Sequence, residues 1–243
     1  MSVFALTDGR LAIGGYDLSD NVVAMNLTIS ADELDTTTIN SGGFRSKAGG
    51  LQDAQFTANG YYEAGANKPD ALLGASNGAE HIITALPDSG VGNASYFFKA
   101  TQFEYTMLGA VGDLAPFNIS ASQSADKPVR ATQMNDFDTN ITTTTNGASQ
   151  QLGAVSSAQK LYANIHVWSV AGTSTPTLTA KIQSDDNSSF TSPTDRITFT
   201  GATAIGAQYK TTDGAITDTY YRVVLTVSGT SPVFKTLVNV GIC

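Results

Sequence analysis

The chain has 243 residues, of which 41% are hydrophobic and only 14% charged, with a formal net charge of −8. That length allows one large or two ordinary domains, and the acidity disfavours double-stranded nucleic acid as a partner for the surface as a whole. Two histidines, one cysteine and one tryptophan leave little material for nucleophilic, acid–base or metal chemistry. The expectation is therefore a non-enzymatic protein with no cofactor and no metal, and the lone Cys243 rules out an intrachain disulfide.

The first residues lack a basic start followed by an apolar run, so no secretory signal is expected, and no apolar stretch is long enough to span a bilayer. Residues 21–30 alternate as a strand, with Val23, Met25, Leu27 and Ile29 on one side. Residues 31–50 carry Asp32, Glu33, Asp35, Arg45, Lys47 and two Gly-Gly pairs, and are expected as a long extended loop. Alternation returns over 50–62, where Ala54, Phe56, Ala58, Gly60 and Tyr62 share a face. A short helix is expected over 67–75, opened by Pro69 and Asp70, with Leu72, Leu73 and Ala75 as its apolar side. Strands follow at 80–86, 94–107 and 116–124; Tyr96, Phe97, Phe98, Phe103 and Tyr105 give the second of these aromatics on both faces.

The Thr-rich stretch 139–147 has no core-facing period, and the charge balance changes across it. Residues 1–150 hold 16 acidic against 7 basic side chains, whereas 151–243 hold 5 against 6. These shifts predict a first domain at 1–138, a linker at 139–151 and a second domain at 152–243. The second reads as a β-sandwich with strands at 161–170, 177–184, 195–200, 220–227 and 233–240. The whole chain is expected to be all-β with one short helix.

Candidate sites are few. His166 alternates against Leu161, Ala163, Ile165 and Val167 and is expected on an exposed strand face; His81 has no further metal ligand at useful spacing. Asp32, Glu33 and Asp35 share one loop, so they do not define a catalytic pair that flanks a bond. Asp185-Asp186-Asn187-Ser188-Ser189 lacks the regular spacing and terminal glutamate of a calcium loop and reads as a solvated turn. Trp168 is either a core or interface residue or, with Tyr162, Tyr220 and Tyr221, a surface platform for a sugar.

One segment carries more information. The run Leu27-Thr28-Ile29-Ser30-Ala31-Asp32-Glu33-Leu34-Asp35-Thr36-Thr37 is followed by a polar Gly-rich stretch, then by Gly49-Gly50-Leu51-Gln52-Asp53-Ala54-Gln55-Phe56 and on to Tyr62. Together they resemble the tail tube (major tail) proteins of long-tailed bacteriophages, over roughly residues 20–110. Residues 152–243 resemble a domain appended to phage tail proteins, most clearly at Lys181–Asp186 and Ser192–Ile197. The resemblance implies a tube-forming β-sandwich or barrel with a short flanking helix, assembled with copies of itself into stacked six-fold rings around an acidic conduit for DNA, which passes without specific binding. It further implies a virion protein made in the host cytoplasm that meets a tape measure protein and terminator or baseplate proteins, with no membrane contact. The loop at 31–50 would reach the neighbouring ring, with Asp32, Glu33 and Asp35 on one limb and Arg45 and Lys47 on the other facing carboxylates of an adjacent subunit. A carbohydrate-binding or adhesion module of a tail, centred on Trp168, and a terminator or baseplate hub component are the alternatives.

Overall fold

The computed structural model describes residues 6–74, 76–124 and 126–243. The chain is almost entirely β, with its strands joined in a 14-stranded, antiparallel sheet. Strands β1 (Arg10–Ile13) and β2 (Tyr16–Asp17) form a hairpin whose two-residue turn is Gly14-Gly15, at φ of 59° and 94°. Both positions need positive φ, which is why Gly-Gly between alternating apolar residues marks such a turn. This hairpin was not among the expected strands.

The expected strand at 21–30 is longer: β3 (Val22–Asp35) pairs with β4 (Lys47–Tyr61), so the true loop is only 36–46. Most of the expected loop at 31–50 is a two-stranded ladder. It resembles a loop in sequence because the hairpin outruns the core there, so both faces are solvated and neither needs an apolar period. Nearer the body, Ala54, Phe56, Ala58 and Gly60 are buried on one face of β4, as their alternation predicts. Gly60 is obligatory, since a Cβ there would lie 1.9 Å from the Asn21 carbonyl oxygen. A bulge between Val22 and Ala24 turns Val23 outward and leaves Val22, Met25 and Leu27 against the core.

Helix α1 (Pro69–Leu73) occupies the centre of its expected span, with Pro69 in the first turn and Leu73 buried; Ala75 lies outside the described residues. Strands β5 (Glu80–Leu86), β6 (Ala94–Met107) and β7 (Pro116–Gln123) match their expected positions. Their apolar side chains, with Phe56 and Leu73, make one core around Phe98 and Phe117.

After β8 (Val129–Gln133), the segment expected as a linker is tied down. Ile141 bridges Phe234, while β9 (Thr145–Asn146) and β10 (Gln150–Gln151) pair with a later strand. Strand β11 (Lys160–Asp185) runs unbroken through two expected strands, flanked by β12 (Thr194–Thr198) and β13 (Gly206–Asp213). Strand β14 (Tyr220–Ile242) likewise merges two expected strands and accepts β9, β10 and β8 along its other edge. Between them β11 and β14 form one long ribbon that folds back on itself where residues 171–176 face 228–232. The two halves of the ribbon then supply opposite walls of a second core: Leu161, Ala163, Ile165 and Val167 meet Leu178, Ala180 and Ile182, closed by Val223, Phe234 and Val238. Register shifts between Val167 and Thr177 restore inward pointing after the fold.

Candidate functional site

Strands β3, β4, β7 and the far end of β6 lie side by side as a four-stranded sheet projecting from the first core. Two of its edges are open among the described residues. Strand β3 pairs only with β4 along its fourteen residues, from Val22 to Asp35. Strand β6 pairs with β5 only as far as Thr101, so its length from Phe103 to Met107 has β7 on one side and no strand on the other.

What opens the second edge is local. Gln102 is buried and ends the contact with β5: its amide donates to the Leu73 carbonyl and to Asn77 Oδ1, both at 2.9 Å, and accepts from Ser76 Oγ at 3.0 Å. A bulge follows at Phe103, which turns out to solvent and redirects the rest of the strand. Open edges of this length are an aggregation hazard unless something pairs with them.

The two faces of the sheet differ. On the inner side, Met25 and Leu27 stand beside Phe56 and Ala58 over the core; Met25, Leu27 and Phe56, with Ile29, Ala85, Pro87 and Tyr96, line an apolar groove of about 380 Å3. On the outer side, where the four strands overlap, the register aligns Asn26, Thr57, Ser120 and Glu104 in one row, and Thr28, Gln55, Ser122 and Thr101 in the next. This face is built from small polar residues, and its one charge in the overlap is Glu104, with Asp53 lying on β4 just beyond the end of β7.

The loop 36–46 that tips the sheet is pinched at its base. Thr36 N–H donates to the Ser46 carbonyl at 2.9 Å, and Ser46 N–H donates to Thr37 Oγ1 at 3.0 Å. Asp35 starts the turn: hydrogen bonds from the Thr37 hydroxyl, then from its N–H at 2.8 Å, hold the carboxyl below its usual range. Glu33 and Lys47 pair with each other across the ladder, so the lysine expected to meet an adjacent subunit has a partner within its own chain. Asp32 is exposed on the outgoing strand, and Arg45 is exposed on the tip with no ion pair among the described residues.

His166 corrects its expectation. It is fully buried, because the face of β11 opposite the second core is covered by the first half of the chain rather than by water. Gly15 N–H donates to its Nδ1 at 3.2 Å, which places the proton on Nε2, facing Thr84 Oγ1 at 2.9 Å. Asn164 Nδ2 donates to the same hydroxyl at 2.6 Å, and Asn239 Nδ2 to Asn164 Oδ1 at 3.0 Å. Burial pushes the His166 pKa down to about 3, so the ring is neutral and structural. It ties the β1–β2 turn and β5 to the ribbon. No sequence signal marks this role, since polar residues alternating with apolar ones look alike whether water or protein covers them.

Trp168 sits at a bulge of β11, half-buried, with its ring stacked on Phe137 at 4.4 Å and 30°. One face is thus taken within the chain, and Arg10 lies over the other partner's ring at 5.2 Å. Asp185 accepts from the N–H groups of Asn187 at 3.2 Å and Ser192 at 2.8 Å, closing its loop on itself. Among the described residues no group of three or more His, Cys, Asp or Glu is placed to hold a metal, and no helix is long and apolar enough to cross a membrane.

No protein-family model matches the chain, and no curated protein matches it. Solved structures similar to it include three from tails and virions. A chain from the virion of a native gene transfer agent particle aligns at TM-score 0.40 and 16% identity, over 49% of this chain and 94% of the other. A chain from the tail of an empty gene transfer agent particle with C6 symmetry aligns at 0.37 and 17%, over 44% and 79%. The Dit protein of phage SPP1, a hub of an adsorption apparatus, aligns at 0.34 and 12%, over 97% and 99%. Likenesses this loose carry no weight for role, and the functional reading rests on this chain's own geometry.

Proposed function

We propose that the protein is a structural subunit of a bacteriophage-type tail whose copies join edge to edge into rings. The observation that carries this reading is the projecting sheet with two open edges. Its strands alternate in direction from β3 through β4 and β7 to β6, so β3 and β6 run oppositely. A second copy related by simple rotation therefore brings its β6 alongside β3 antiparallel, the arrangement a sheet ladder requires. Repeated rotation closes the ring and removes every open edge. Six copies per ring, rings stacked into a tube, and residence in the virion follow from the sequence resemblance.

The outer face then lines the lumen. Where the four strands overlap, its small polar residues and the carboxylate of Glu104 offer DNA no cation to bind. A tape measure protein would fill this channel before DNA, and terminator or baseplate proteins would cap its ends. In this division residues 1–138 build the tube and 152–243 stand outside it, joined through 139–151. The fit comes from β14, which reaches the first half at β8 and leaves both open edges free.

Proline scanning of the β3 edge tests the reading. Along an edge strand alternate N–H groups face the neighbour and the open side, so of Thr28→Pro and Ile29→Pro one breaks the β4 ladder and the other only blocks the outer edge. The wild type should form rings by light scattering and negative-stain microscopy. One of the two variants should remain folded yet monomeric; if the wild type stays monomeric at high concentration, or both folded variants still form rings, edge pairing is wrong.

A further inference from the structure

The seam between the two halves of the chain carries a polar layer. On the first half, β6 turns Ser95 and Phe97 toward it, two residues apart and so on one side of the strand, and β5 adds Thr84, the cross-strand partner of Phe97. On the second half, β11 and β14 present the cross-strand pair Asn164 and Asn239, with His166 beside them. The two sides meet where Asn164 Nδ2 donates to Thr84 Oγ1 at 2.6 Å. All five polar side chains are fully buried. Apolar clusters bound the layer: along β11 and β14 the asparagine pair separates Leu237, packed with Ala12 and Leu86, from Tyr162, packed with Phe97 and Ala131.

Hydrogen counting leaves this layer three groups short. Thr84 Oγ1 accepts from His166 Nε2–H and from Asn164, so its own hydroxyl hydrogen must go elsewhere, and no protein acceptor meets it among the described residues. Asn239 donates to Asn164 at 3.0 Å, yet its Oδ1 accepts from no protein group. Ser95 Oγ has no partner among the described residues. Polar atoms buried this deeply are nearly always paired, either by protein or by water, because a bare one keeps its full desolvation cost. The unmet groups are one donor, one acceptor and one hydroxyl that can be either. Water supplies both roles at once, and buried waters typically make about three hydrogen bonds.

We propose that the seam is a binding site for internal water. A molecule seated between Thr84, Ser95 and Asn239 accepts the Thr84 hydroxyl hydrogen and donates to Asn239 Oδ1 and Ser95 Oγ. Thr84 and Ser95 belong to the first half and Asn239 to the second, so this water is a bond across the seam. It works beside the direct link through His166 and does not depend on ring formation. The halves are then joined by a hydrated polar layer held between two apolar clusters, which fixes how the ribbon sits on the first half.

A crystal structure of the full chain that resolves ordered solvent is the direct test. It should show a water within hydrogen-bond distance of Asn239 Oδ1 and of Thr84 Oγ1 or Ser95 Oγ. A dry layer, or a water that touches one half only, would overturn the proposal. Ser95→Ala gives a second readout whose sign separates the two cases. If Ser95 holds water, the variant loses a bond and its urea midpoint falls below that of the wild type at unchanged slope. If the hydroxyl is bare, removing it relieves a desolvation cost, so a midpoint equal to or above wild type would also overturn the proposal.

Discussion

The projecting sheet and the folded ribbon are both made of long antiparallel strands, yet they end in opposite environments. The ribbon of β11 and β14 folds at its middle and buries itself, then buries its remaining face under the first half of the chain. The hairpin of β3 and β4 runs straight past its core and keeps an edge, a tip and an outer face exposed. The contrast separates what this protein spends on folding from what it holds available for contact. Burial on two faces fixes a strand to one place, whereas an uncovered ladder is stable only as far as its base is anchored.

The sharpest way to break this contrast is to cut the ribbon's core. Phe234→Ala removes a fully buried ring shared between the two walls and should destabilise folding by about 3–5 kcal/mol in chemical denaturation. A loss below about 1 kcal/mol would mean that the ribbon is not the rigid part of the molecule.

Next in size is the junction at His166. The unfolded imidazole binds a proton near pH 6.5 while the folded one stays neutral to about 3. The unfolded state therefore holds more protons in between, and stability, full above pH 6.5, declines as pH falls, by up to about 1.4 kcal/mol per unit. His81, which is also depressed by burial, adds to the same slope. Denaturation curves across this window, for wild type and His166→Gln, check the assignment: the variant should be less stable at neutral pH but show a shallower decline. Equal slopes would mean that His166 is not buried in a neutral form.

The smallest effect belongs to the exposed tip. Phe44→Ser leaves no cavity and strands no polar group, so folding stability should stay within about 0.5 kcal/mol of wild type. A larger loss would show that the tip is packed in the isolated chain and is not held open for a partner.

Much of the fold is legible in the residues, and the failures have a common physical origin. The sequence located β5 and β6 to the residue, because each is a continuous β-branched, aromatic-rich run whose central side chains are buried on both faces. The strand ends expected at 170 and 227 lie inside continuous strands, because the ladder passes through them by bulges, which leave no mark on the hydrophobic period. Of the assembly surface, the segment 27–62 stood out from sequence, but its division into ladder and tip did not. Asp32, Glu33 and Asp35 looked like one acidic limb; in three dimensions Glu33 is spent on Lys47 and Asp35 on the turn. Phe103 looks in sequence like one more strand aromatic, and its outward turn at the bulge has no periodic signature.

By itself the sequence determined an all-β chain, its acidic first half, the inward face of β4 and the poverty of catalytic groups, because composition and period-two alternation are local properties. Only the tertiary structure decided which faces are covered twice, where β6 leaves β5 to open a second edge, and that Thr84 of one half meets Asn164 and Asn239 of the other in a buried polar layer. Those depend on which strand lies beside which, and strand pairing is set by contacts between residues distant in sequence, which no local pattern records.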